Sequence, residues 1–144
     1  MNKQIKTEII INASREKVWQ VLTDFTSYPT WNPFLINVEG EFKEGGRLKN
    51  TLQNGHKTMI FKPTILQIKQ GESFSWLGSL FFKGLFDGLH SFEIENAGKD
   101  HVKLVHSESF SGLFSSFILK KIGTVTRNNF IQMNLALKNT AESN

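Results

Sequence analysis

Two histidines and a glutamate stand where strand alternation brings them together. His90, Phe92 and Ile94 take every second position of one apolar stretch, and Val102, Leu104, His106, Glu108 and Phe110 do the same in the next. Side chains alternate across a strand, so in a paired hairpin all of these residues share one face. With the hairpin centred on Gly98, Ile94 opposes Val102, Phe92 opposes Leu104, His90 opposes His106 and Gly88 opposes Glu108. The face is otherwise apolar, so a carboxylate on it must pair or take up a proton. Three chemistries meet that demand. Glu108 with His90 or His106 can form a structural hydrogen bond, orient a ligand at the polar end of a cavity, or act as an acid/base pair, in which case these three are the candidate catalytic residues. A metal held by both histidines and the carboxylate is disfavoured, because three side chains would have to converge from two strands, and neither a metal nor a cofactor is assigned.

The remaining polar candidates carry less. His56 and His101 sit in turn-like polar surroundings and read as solvated. Ser107, Ser109 and Ser111 neighbour the histidines, but none stands on a nucleophile elbow. The absence of cysteine among 144 residues removes thiol nucleophiles, disulfides and thiolate metal sites, and suits a reducing, cytoplasmic compartment.

The elements that must position this patch follow from periodicity. Ile5 to Ile11 reads as a strand, and Ser14 caps a short helix whose Val18, Trp19, Leu22 and Phe25 share a face. Six further segments read as strands: 35–42, 48–53, 59–68, 73–80, 90–94 and 102–110. Turn signals at Asn54-Gly55, Gln70-Gly71, Phe86-Asp87-Gly88 and around Gly98 separate the later ones, which makes an antiparallel meander. From about Leu113 to Glu142 the period becomes helical, with Ile118, Ile122, Asn129, Met133 and Leu137 near one face. At roughly 1.5 Å per residue such a helix crosses a whole sheet. The economical packing is a curved sheet of six to seven strands wrapped around the last helix, an α+β fold with a space between them.

The aromatic residues suggest what fills that space. Tyr28 to Phe34 holds Tyr28, Trp31 and Phe34 in a stretch where two prolines, Pro29 and Pro33, oppose regular structure, which reads as an irregular lid or rim. Phe74 and Trp76 alternate on one strand, and Phe81, Phe82 and Phe86 crowd an apolar stretch between Leu80 and Phe86. Gly78, Gly84, Gly88 and Gly112 remove bulk near these rings, and large neighbours beside missing side chains leave pockets. The expected ligand contacts are Trp31, Phe34, Trp76, Phe81 and Phe86 around the rim and walls. His90, Phe92, His106, Glu108 and Phe110 come from the hairpin, and Phe130, Met133 and Asn134 from the helix.

Composition bounds the rest. Hydrophobic residues make up 39% and charged residues 21%, with 13 Phe, which excludes a disordered chain and points to one domain over residues 1–144. The formal charge is +4, but the basic residues are scattered and the densest cluster is the pair Lys120-Lys121, so a solvated surface is expected and no nucleic-acid partner. Lys6 and Glu8 interrupt the isoleucines of the N-terminal stretch, which separates it from a signal peptide. No apolar run is long enough for stable membrane insertion. Such a chain is expected to be a monomer or a weak homodimer.

Several words in the chain point further: Val18-Trp19, Leu22-Thr23-Asp24-Phe25, Tyr28-x-x-Trp31-Asn32-Pro33-Phe34, Trp76-Leu77-Gly78, Gly88-Leu89-His90-Ser91-Phe92, Glu108-x-Phe110-Ser111-Gly112 and Met133-Asn134-x-x-Leu137-Lys138. With the element order, they resemble the polyketide cyclase/dehydrase branch of the START-like (SRPBCC) superfamily over nearly the whole chain. The resemblance implies a helix-grip fold, like that of the birch pollen allergen, with a deep hydrophobic cavity for lipids, polyketides, sterols or other apolar ligands. It also implies kinship with aromatase/cyclases and ring-hydroxylating oxygenase domains, although the oxygenase metal motif is not recognisable. Three functions compete: a carrier or sensor of a small hydrophobic molecule, a cyclase or dehydratase using Glu108 with His90 or His106, and a protein-interaction or stress-response module that docks through Trp31 and Phe34.

Overall fold

The computed structural model describes residues 3–80 and 82–143. Among them the chain runs β1 (Gln4–Ile11), α1 (Arg15–Thr23), a single 3-10 turn (Phe25–Ser27), α2 (Tyr28–Trp31), β2 (Leu35–Glu39), β3 (Lys49–Asn54), β4 (Lys57–Phe61), β5 (Thr64–Lys69), β6 (Ser73–Leu80), β7 (Phe86–Asn96), β8 (Val102–Ser111) and α3 (Ser115–Glu142). The expected α+β architecture is present, with a curved antiparallel framework gripping a long C-terminal helix. A five-stranded sheet has the order β1-β8-β7-β6-β5, and a three-stranded sheet has the order β2-β3-β4. Backbone bonds from Leu48 to Pro63 and between Ile65 and Gly45-Gly46, together with the bridge Arg47↔Thr64, hold one sheet against the other.

Three sequence expectations are corrected. The stretch 59–68 is not one strand: Pro63 has no N–H to donate to a ladder, and the chain changes sheet there, β4 ending at Phe61 and β5 starting at Thr64. Tyr28 to Trp31 is not irregular, because Pro29 falls in the first turn of α2, where a missing N–H leaves no bond unmade. Phe86-Asp87-Gly88 is not a turn but the start of β7; the reversal comes earlier, at Gly84 (φ 93°), whose N–H reaches the Asp87 carboxylate at 3.0 Å.

The β7–β8 register also differs from the expected one, by two residues. Ile94 opposes Leu104, Phe92 opposes His106, His90 opposes Glu108 and Gly88 opposes Phe110. The cause is the connection after Asn96, which closes from Ala97 to His101 with Gly98 at φ 131° and Asp100 at φ 62°, tighter than assumed. A shift of two keeps every side chain on its face and changes every partner.

Helix α1 starts where Ser14 Oγ accepts the Lys17 N–H at 3.1 Å, and Arg15 then clamps it to the sheet through the carbonyls of Gly71 and Ile94. Trp19, Phe25, Phe42 and Phe74 meet edge to face beneath it, with centroids 5.1–6.3 Å apart. Helix α3 lies along β1 and β8, tied to β1 by Arg127 on the Lys6 carbonyl and Lys138 on the Ile10 carbonyl.

Candidate functional site

The space between helix and sheet is filled at one end and open at the other. Toward the C-terminus of α3, Phe130, Met133 and Leu137 are fully buried. Toward its N-terminus Ile118, Ile122, Thr126 and Asn129 face a cavity of about 210 Å³. Its opposite walls are Trp76, Gly78, Phe86, Gly88, His90, Glu108 and Phe110 from the large sheet. Phe34, Leu35, Asn50, Leu52, Asn54, Met59 and Phe61 come from the segment before β2 and from the small sheet. Helical spacing puts 118, 122, 126 and 129 on one stripe, and alternation puts 50, 52 and 54 on one sheet face.

Two titratable side chains, Glu108 and His90, line this cavity. They sit directly opposite each other on β8 and β7, with His90 Nδ1 3.5 Å from Glu108 Oε1. Glycine leaves room for this carboxyl position, since a Cβ at Gly88 would stand 2.1 Å from Glu108 Oε2. The missing side chain is what lets the carboxylate fold over β7 and reach the cavity.

A hydrogen-bond chain runs inward from this pair. His90 Nε2 meets His106 Nε2 at 2.7 Å, His106 Nδ1 meets Asn134 Oδ1 at 2.8 Å, Asn134 Nδ2 donates to Thr7 Oγ1 at 2.9 Å, and the Thr7 hydroxyl donates to the His106 carbonyl at 2.8 Å. All four inner residues are buried. Phe130 stacks on the His106 ring at 4.1 Å, and Trp76 and Phe92 cover His90 at 5.1 and 5.0 Å. Burial, then the neighbouring His90 ring, hold the His106 pKa well below the ordinary value, while the Asn134 bond opposes that shift. His106 is therefore neutral.

Of the residues expected at the site, Phe34, Trp76, Phe86, His90, Glu108 and Phe110 line the cavity. Phe92, His106, Phe130, Met133 and Asn134 are buried behind its wall, where Phe92, His106 and Phe130 pack against His90 and Asn134 bonds His106. Trp31 packs against Tyr28 at 5.0 Å, away from the cavity. Tyr28, expected in a lid, is wholly buried, and its hydroxyl donates to the Leu22 carbonyl, its pKa raised by burial and then by Asp24. Phe81 lies outside the described residues. Sequence reasoning missed the small-sheet wall, including Asn50, which is 2% exposed and has an amide oxygen with no hydrogen-bond partner among the described residues. No side-chain group that could hold a metal ion occurs among the described residues, and no described helix is long and apolar enough to cross a membrane.

A search of curated proteins by sequence returned no match. Solved structures do match in fold. The Zhui aromatase/cyclase from Streptomyces sp. R1128 aligns with a TM-score of 0.79 at 14% identity, over 96% of this chain and 93% of that one. A START superfamily protein from Mycobacterium smegmatis gives 0.76 at 14% identity, over 96% and 97%. Norcoclaurine synthase from Thalictrum flavum, in complex with dopamine and hydroxybenzaldehyde, gives 0.73 at 15% identity, over 96% and 86%. Residues 3–142 match the sequence model described as polyketide cyclase / dehydrase and lipid transport, and the chain belongs to that family.

Proposed function

We propose that the protein binds a small hydrophobic, ring-containing molecule in the cavity between α3 and the sheets, as a carrier or sensor. The observation that carries this reading is a void of about 210 Å³ walled by Phe34, Trp76, Phe86, Phe110, Ile118 and Ile122, with one titratable corner. An apolar cavity of about 150 Å³ accepts benzene, so this volume suits one or two rings better than a long acyl chain. Family membership supports the ligand class, and so does the pair of aromatic molecules held by the plant synthase of similar fold. The test is binding of the dye ANS to the native protein and to Trp76→Arg. Strong fluorescence enhancement lost in the variant supports the reading, whereas equal enhancement in both places the dye elsewhere. Mass spectrometry of an organic extract of the purified native protein then identifies the molecule.

A second reading, a cyclase or dehydratase, is favoured by one observation: the two titratable groups of the cavity wall face each other, as an acid/base pair requires. On this reading Glu108→Gln abolishes turnover of the extracted molecule while binding and stability remain close to those of the unmodified protein.

A further inference from the structure

We infer that Asn134 sets the direction of the hydrogen-bond chain, so that His90 Nδ1 and the Glu108 carboxyl form its polar end at the cavity, and that the ligand is a compact ring compound bearing a hydroxyl. The inference rests on the ligand-binding reading above and deepens it.

The direction follows from the inner end of the chain. The Thr7 hydroxyl gives its only proton to the His106 carbonyl, so its oxygen accepts from Asn134 Nδ2, and the amide cannot be turned round without opposing two acceptors. Asn134 Oδ1 therefore faces His106 Nδ1, and because an amide oxygen only accepts, the His106 proton is on Nδ1. Buried and neutral, His106 keeps a lone pair on Nε2, which accepts from His90 Nε2. One nitrogen of His90 remains, Nδ1, and it faces Glu108 Oε1. That nitrogen and the carboxyl are the end of the chain that meets the cavity.

The neighbours supply no competing charge. Strand β1 places buried Ile5 opposite Glu108, β6 contributes Trp76, and α3 contributes Phe130 and Asn129. Asp87, the acid beside Gly88 on β7, is turned to the Ser79 hydroxyl and the Gly84 amide. No lysine or arginine is among the described residues that line the cavity.

Among the other polar residues of the cavity wall, Asn50 has a buried amide oxygen with no partner among the described residues, and it needs a donor. A hydroxyl can answer either point, since its proton goes to the Asn50 oxygen or to the Glu108 carboxyl. A ketone leaves Asn50 unpaired. A ligand carboxylate meets the Glu108 carboxyl with no lysine or arginine on the described cavity wall to offset it.

Two measurements on the unmodified protein decide the matter. In 15N-edited NMR of the histidine rings at pH 7.5, His106 is expected as the Nδ1–H tautomer and His90 with a proton on Nε2. Asn134→Leu is expected to convert His106 to Nε2–H, and Asn134→Asp, which keeps an acceptor, to retain Nδ1–H; His106 as Nε2–H in the unmodified protein, or no change in Asn134→Leu, overturns the inference. In titrations with naphthalene probes, 1-naphthol is expected to bind about tenfold more tightly than 1-methylnaphthalene, as one hydrogen bond to an ionisable group allows. 1-Naphthoate is expected to bind more weakly than 1-naphthol, and Glu108→Leu to reduce the tenfold preference to threefold or less. Equal binding of 1-naphthol and 1-methylnaphthalene overturns the hydroxyl inference and leaves the hydrophobic cavity standing. Binding of none of the probes removes the cavity reading itself, while the tautomers still decide the proton chain.

Discussion

Helix α3 is one continuous apolar stripe with two different fates. Its C-terminal half buries Phe130, Met133, Leu137 and Ala141 on the inner face, with Ile131 and Leu135 exposed on the outer one, and its buried Asn134 is hydrogen-bonded through both the amide oxygen and the amide nitrogen. Its N-terminal half turns Ile118, Ile122, Thr126 and Asn129 toward an unfilled space, and Phe114, Phe117 and Val125 stand exposed beside it. The difference is in what lies opposite. The C-terminal half meets large side chains on β1, β7 and β8, whereas the N-terminal half faces a wall carrying Gly78 and Gly88. A single helix thus serves as core at one end and as binding wall at the other, and stability and function are separable along it.

The contrast breaks most visibly at Phe130. Phe130→Ala removes a fully buried ring stacked on His106 and is expected to lose about 3–5 kcal/mol of stability in urea denaturation. A loss under about 1 kcal/mol would mean that the two halves are packed alike.

Acid is the next lever. The folded pKa of His106 lies below the ordinary 6.5, so the unfolded chain binds a proton that the native ring refuses. Its contribution is fully present above pH 6.5 and is lost as the pH falls from there toward the folded value, at up to about 1.4 kcal/mol per pH unit for one proton. The lowered carboxylates Asp24, Asp87 and Glu142 act in the same direction only near and below pH 4.5, so the window above belongs to His106. Urea midpoints that stay flat between pH 7.5 and 5 would contradict a neutral buried ring.

At the cavity end the expected losses are in binding. Gly88→Ala drives a Cβ into the Glu108 carboxyl, which is the free end of a flexible side chain and can swing away, so folding is expected to lose about 1 kcal/mol or less. Displacing that carboxyl is expected to lower 1-naphthol affinity about tenfold in fluorescence titration. The smallest stability change is expected at Ile122→Ala, below about 1 kcal/mol, because the side chain is only partly buried, packs at the edge of the core and lines the cavity. A loss there as large as at Phe130 would remove the distinction between the halves.

Much of this was legible from residue order. The period-two pattern of 90–94 and 102–110 placed His90, His106 and Glu108 on one face, and they are on one face. The pairing across that face was not legible, since it depends on how tightly the loop after Asn96 closes, and the closed loop set Glu108 directly opposite His90 and moved His106 to the diagonal position, from which its ring still bonds His90. The helical stripe of α3 was readable too, but Ile122 at the cavity and Leu137 in the core belong to the same pattern. The small-sheet wall escaped because nothing local marks β3 as facing a helix some seventy residues later in the chain. Its polar Asn50 looked like an ordinary strand residue.

Alone, the amino-acid order determined which face each side chain takes, because alternation in strands and the 3.6-residue turn of a helix are properties of the local backbone. Tertiary packing decided the register of β7 against β8, the division of α3 into filled and unfilled halves, and the meeting of Thr7, Asn134, His106 and His90 in one chain of bonds. Those depend on distances between elements far apart in sequence, and an enclosed volume is the difference between surfaces that only the folded chain brings together.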